Sequence, residues 1–271
     1  LGPLQTLRRH WPEYLMEAWG LGVFMVAAGM AVVLLESAGS PVHQWIGDAD
    51  LRRVLIGIVM GLTAIGIIYS PWGQQSGAHI NPAVTLAFLR LGKIAPWDAV
   101  FYIAAQFIGG TLGVLLALLL LGDSFALAPV AYVVTVPGRG GVAPAFWAEL
   151  LISFGLMLTV LIFLNTQRLQ RYTGFAAGAL VAIYIAIEAP LSGMSINPAR
   201  TFASALPADQ WHAWWVYFTA PILGMLLAVE IHRALKFGSA LMCAKLDHSA
   251  HRRCIHCGYE PGRANNRQDK S

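Results

Sequence analysis

The segment Ser76-Gly77-Ala78-His79-Ile80-Asn81-Pro82-Ala83 returns as Ser192-Gly193-Met194-Ser195-Ile196-Asn197-Pro198-Ala199, and this repeat constrains the fold more than any other feature. Around the first copy lie three runs without Asp, Glu, Lys or Arg: Ala18 to Leu35, Val54 to Tyr69 and Phe101 to Leu121. Around the second lie Leu150 to Leu164, Tyr172 to Ile187 and Trp211 to Val229. Each reaches about 20 residues once snorkelling flanks are included, the length a helix needs to cross hydrocarbon. The first run, entered past Trp11, Pro12 and Glu13, reads as a span and not as a cleaved signal peptide, because no small-residue cleavage site follows it. Three spans per half is an odd number, so the second copy must enter the membrane upside down. The result is an inverted repeat about an axis in the membrane plane, an arrangement of channels and transporters.

Composition closes the other routes. Only 12% of residues are charged, against about 25% in soluble domains. The three cysteines all lie beyond residue 240, so there is no disulfide scaffold. Fourteen of the eighteen Lys and Arg fall on one side of a six-span arrangement: Arg8 and Arg9, Arg90 and Lys93, Arg168 and Arg171, and the residues from Arg233 onward. Arg52, Arg53 and Arg139 fall on the other. The positive-inside bias predicts both termini in the cytosol, and the excess of +4 needs no nucleic-acid partner.

Each Asn-Pro-Ala opens an apolar stretch too short to span, Pro82 to Leu91 and Pro198 to Leu206. Asn as N-cap with Pro at the first helical position is a strong helix start. Two such half-helices entering from opposite faces meet near the midplane, where irregular backbone is tolerated only if buried in protein or lining a water path.

These motifs resemble the aquaporin, or major intrinsic protein, family. The resemblance runs from about Glu13 to about Leu235 and rests on residues 76 to 83, on Ile196-Asn197-Pro198-Ala199-Arg200, and on Glu17, Glu149 and Gln106. It implies an all-α integral membrane fold of six transmembrane helices plus two re-entrant half-helices, a pore in every subunit, a homotetramer in the plasma (inner) membrane, and passive flow of water or small neutral solutes such as glycerol. The channel domain is expected over 7–238, with repeat halves at about 11–122 and 144–236, followed by a cytosolic tail at 239–271.

Asn81 and Asn197 would offer amide donors at the pore centre, with carbonyls of Gly77, Ala78, His79, Gly193, Met194 and Ser195 as acceptors along one wall. Arg200 matches the family's outer constriction, and spacing assigns Met60, Ile185 and Met194 to the same ring. An aromatic residue and a His usually stand at two of these positions in water-selective members; here the ring is apolar. Thr201 follows the arginine as in water channels, where glycerol-conducting members carry an acid. The apolar ring and Thr201 thus point in different directions, and the reading is a water channel that also leaks small neutral solutes. Glu17 and Glu149 resemble the paired acids that hold the loops. Glu188, three residues after Ile185, is placed near the outer mouth, where it shapes the vestibule, pairs with Arg200 or reaches the interface.

The alternative function is an ion- or proton-coupled secondary transporter, which would need acids lining the path. An enzyme is not expected, because no nucleophile has a partnered base. Transport itself needs no cofactor. In the tail, Cys243, His248, Cys254 and Cys257 form an array suited to tetrahedral zinc, with His251 and His256 as spare imidazoles. Unpaired or palmitoylated thiols beside the membrane are the other reading.

Overall fold

A computed structural model describes residues 2–235, 241, 243–248 and 252–261. His251 and much of the segment 239–271 lie outside the described residues. Eight helices carry the fold: α1 (Pro3–Glu36), α2 (Ala49–Tyr69), α3 (Pro82–Arg90), α4 (Pro96–Leu121), α5 (Val142–Leu164), α6 (Thr173–Ile187), α7 (Pro198–Ala208) and α8 (Trp214–Leu235). Five of them, α1, α2, α4, α5 and α8, are long and apolar enough to cross a membrane.

The fifth expected span is shorter than that. With 15 residues, α6 rises only about 22 Å at 1.5 Å per residue. Glu188 ends it with its backbone N–H on the Tyr184 carbonyl, and a separate turn, Ala189–Ser192, carries the chain into the re-entrant loop. The last span begins at Trp214 instead of Trp211, because Ala213 takes a left-handed φ of 51° and breaks the helix there.

The repeat organises the packing. α1 lies along α4 and α5 along α8, while α2 packs on α6 across the two halves. The half-helices are exchanged: α7 rests on α4 and α3 on α8. Membrane helices have no hydrophobic drive to associate, so such contacts depend on small residues that let backbones approach. A Cβ at Gly61 would sit 2.5 Å from the Gly178 carbonyl, and one at Gly224 would collide with the Leu150 carbonyl. Gly66, on the same helix as Gly61, has open space around it.

Gly61→Val is expected to destabilise the folded protein by ~1–3 kcal/mol through overpacking, with Gly66→Ala neutral or slightly stabilising. Thermal unfolding of both variants in detergent checks this; equal midpoints would show that the α2–α6 approach is not tight.

Candidate functional site

The site begins with two helix caps. Asn81 Oδ1 accepts from Ala83 N at 2.8 Å, and Asn197 Oδ1 accepts from Ala199 N at 3.0 Å and Arg200 N at 3.2 Å. Each amide nitrogen then reaches across the repeat: Asn81 Nδ2 donates to the Ile196 carbonyl at 2.7 Å and Asn197 Nδ2 to the Ile80 carbonyl at 2.8 Å. A carboxamide carries two N–H bonds. One locks the two loops together, and each Asn has a second beyond it.

The loops before these caps run through unusual backbone. Gly77, Ala78 and Ile80 have φ of 106°, 53° and 41°; Gly193, Met194 and Ile196 have 83°, 52° and 49°. For β-branched isoleucine a positive φ is an outlier that persists only when its surroundings dictate it. Two fully buried glutamates do so. Glu17 accepts from Ser76 Oγ (2.8 Å), His79 N (3.0 Å), Ile80 N (2.6 Å) and Gln106 Nε2 (2.8 Å). Glu149 accepts from Ser192 Oγ (2.7 Å), Ser195 N (2.6 Å) and Ile196 N (2.7 Å). Tyr102 and Tyr217 add hydroxyl bonds to the Ser76 and Ser192 carbonyls at 2.7 and 2.6 Å. The sequence reading passed over this tyrosine pair, although its near-equal spacing from the two motifs was a signal for it.

A cavity of about 590 Å³ runs past both motifs. Ala78, His79, Ile80 and Asn81 line it from one loop and Gly193 to Asn197 from the other. The facing wall is apolar, with Phe24, Ile56, Leu156 and Val181 among its residues. Met60, Ile185, Met194 and Arg200 all border it. Arg200 donates from Nη1 to the Val133 carbonyl at 2.7 Å, so the segment between α4 and α5 fixes the guanidinium. Nothing in the sequence marks a backbone carbonyl for that task. Thr201 lies behind the lumen, within hydrogen-bond distance of Ser195 and Thr135.

Two residues differ from the sequence reading. Glu188 is buried, so it does not reach out to the interface, and among the described residues it is neither part of the cavity lining, which holds its neighbour Ala189, nor ion-paired with Arg200. Gly77 does not border it either: its carbonyl, assigned to the acceptor wall, accepts from Leu246 N at 3.1 Å.

That last bond comes from the tail, which folds back against the first loop. His79 Nε2 meets the Ala244 carbonyl at 2.8 Å, and Lys245 Nζ donates to the Gln74 carbonyl at 2.9 Å and the Arg253 carbonyl at 3.0 Å. Arg253 pairs with buried Glu13 at 2.8 Å. The ligand atoms of Cys243, His248, Cys254 and Cys257 lie within 4.8 Å of one another. The hydrogen bond from Cys243 draws the Cys254 thiol far below its ordinary range against the opposing effect of burial, with His248 and Lys245 adding to the shift. Thiolate is the metal-ligating form of cysteine. His256 stands stacked on His79, not in this cluster; burial and then the neighbouring His79 lower its pKa to about 4.

Comparison with known proteins agrees with this geometry. The model of the family described as major intrinsic protein matches residues 5–232. Aquaporin NIP6-1 of Arabidopsis thaliana is 38% identical over 79% of this chain and 66% of its own length. Aquaporin NIP2-3 of Zea mays is 31% identical over 84% and 74%, and Aquaporin-4 of Rattus norvegicus 34% over 76% and 68%. The chain thus spans about two thirds to three quarters of these relatives. The X-ray structure of the aquaglyceroporin from Plasmodium falciparum superposes with a TM-score of 0.65 at 20% identity, covering 82% of this chain and 95% of that one.

Glu149→Gln replaces an acceptor facing three donors with a group that has one acceptor oxygen and an NH₂. At least one buried donor is then unmatched, at a cost of ~1–3 kcal/mol. A lowered unfolding midpoint in detergent, with reduced water flux per folded protein, is the expected outcome; an unchanged midpoint would show that the loop holds itself.

Proposed function

The chain belongs to the major intrinsic protein family, and we propose that it is a passive pore that passes water and small neutral solutes while holding back protons and ions. One observation carries this reading: two half-helix N-termini, each capped by an asparagine whose amide reaches the opposite loop, converge on one lumen. Each helix end presents about half a positive charge. A water at this point accepts from both Asn81 and Asn197, so its own hydrogens turn away from the pore axis and the hydrogen-bonded chain that would relay a proton is broken. The dipole ends and Arg200 oppose cations. Carbonyls of Ala78, His79, Gly193, Met194 and Ser195 are the acceptors that replace bulk water along the path.

Met60, Ile185 and Met194 form the apolar side of the constriction opposite Arg200. Two flexible thioethers make its width adaptable, which favours passage of solutes larger than water. The coupled-transporter reading is disfavoured by where the acids are. Glu17 and Glu149 are committed to loop backbone, and among the described residues bordering the cavity the single carboxylate is Glu36, paired with Arg52 at 3.2 Å. Charge bias supports both termini in the cytosol, and family membership supports a homotetramer in the plasma (inner) membrane.

In the tail, three thiols and one imidazole in tetrahedral reach fit one zinc ion. His248 Nε2 and Cys257 Sγ are 3.3 Å apart, close to the edge of a coordination tetrahedron (~3.5 Å). Four protein ligands leave no open position, so the metal would cross-link the segment and not catalyse. Elemental analysis should find about one zinc per chain, lost in Cys254→Ser with Cys257→Ser; a metal-free tail would refute this assignment.

In proteoliposomes stripped of metal, osmotic shrinkage should be fast, with measurable glycerol entry. Ile185→His with Met60→Phe should cut glycerol entry about ten-fold or more and leave water flow within about two-fold. An unchanged ratio would place the constriction elsewhere.

A further inference from the structure

We propose that the metal-binding tail is a plug: with its cluster loaded, the stretch Ala244 to Leu246 closes the pore mouth on the side that carries the termini, and loss of the metal opens it. The proposal rests on the channel reading and on the zinc assignment above, and adds the control of flow.

The position of the stretch is the first ground. Leu246 itself borders the lumen, beside Ile68 and Ala78. Ala244, Lys245 and Leu246 are 0%, 1% and 5% exposed, and Leu241, Ala244 and Leu246 belong to the same apolar core as the pore helices. This is packing into the channel body, not a tail lying on it. The contact with the first re-entrant loop is at backbone level: a Cβ on Gly77 would sit 2.7 Å from the Ala244 carbonyl. Leu246 N–H occupies the Gly77 carbonyl and the Ala244 carbonyl occupies His79 Nε2, two polar groups of the first re-entrant loop.

The opposite mouth supplies an internal contrast. There the equivalent glycine, Gly193, is covered by Thr135 and Val136 at 3.3 Å. The cavity continues past that cover to Arg53 and Glu36 at the outer rim. On the termini side no described tail residue except Leu246 borders the cavity.

The second ground is what holds the plug. Residues 243–248 form no helix or strand, and so short a polar segment cannot order itself by its own core. Cys243 immediately precedes the plug and His248 follows it by two residues; Cys254 and Cys257 stand on a turn closed by Cys254 N to the Tyr259 carbonyl at 2.8 Å. A metal bound by these four ligands would clasp both ends of the plug. Lys245, buried with its ammonium on two carbonyls, sits where the negative charge of a three-thiolate site compensates it. Removing the metal removes the bonds that would tie Cys243 and His248 to Cys254 and Cys257, and with them the clasp on both ends of the plug. The tail also lies outside the family match at 5–232, so this device is an addition to the pore.

The test pairs zinc content with stopped-flow osmotic shrinkage on the same full-length proteoliposome batches, after size-exclusion chromatography has shown each variant folded. Native protein loaded with zinc should shrink slowly. Chelator-stripped protein and Cys254→Ser/Cys257→Ser should shrink about five-fold faster or more. Leu246→Gly should retain its zinc and yet shrink as fast as the stripped form, which separates the plug from its clasp. Equal, fast flow in zinc-loaded, stripped and Leu246→Gly protein would overturn the plug while leaving the zinc site standing. Protein that never takes up zinc would overturn metal control together with the zinc assignment. Flow no faster than in protein-free vesicles from every form would overturn the plug along with the channel reading.

Discussion

Backbone N–H groups of an irregular loop at membrane depth have no water to bond, and each one left unsatisfied costs several kcal/mol in hydrocarbon. Glu17 and Glu149 meet that demand: each accepts from two consecutive loop amides and from the serine that begins the loop. The rest follows from these bonds. They hold alanine, methionine and isoleucine in left-handed backbone that those residues otherwise avoid, and so keep the loop carbonyls along one wall of the lumen. They also set the depth at which Asn81 and Asn197 begin their helices, and therefore where the two amides cross to the opposite loop. A buried acid in a span usually signals proton transfer or ion binding. Here full burial, with donors on both oxygens, marks structural work.

Much of this was legible in the sequence. An exact Ile-Asn-Pro-Ala repeat flanked by an odd number of apolar runs leaves few topologies besides the inverted one, and Asn followed by Pro is a local helix start that tertiary context had no reason to override. Two things stood differently for physical reasons. The uncharged run 172–187 matches the helix Thr173–Ile187 almost residue for residue, and it is the allowance for snorkelling flanks that overshot, because the helix is capped at Glu188 and the chain turns into the re-entrant loop. Sequence does not report what a backbone carbonyl does: Val133 holding Arg200, and Gly77 being covered by Leu246, depend on chain paths that no side-chain pattern encodes.

The tail changes how the pore is to be viewed. The cysteine and histidine spacing alone shows ligands but no task, because a zinc knuckle can sit anywhere near a membrane. Its packing on Gly77 and His79 ties the cluster to the loop that Glu17 holds. Pore geometry and metal chemistry thus meet at one short stretch of backbone, with Arg253 on Glu13 anchoring it to α1 one turn from Glu17.

The central claim is that water passes the paired asparagines and protons do not. It is tested most directly by reconstituting the metal-stripped protein in vesicles loaded with a pH-sensitive dye. Osmotic shrinkage and the decay of an imposed pH gradient are then followed on the same preparation. The account predicts shrinkage well above that of protein-free vesicles, with a pH gradient that decays no faster than theirs. A gradient that collapses in step with water flow would contradict it.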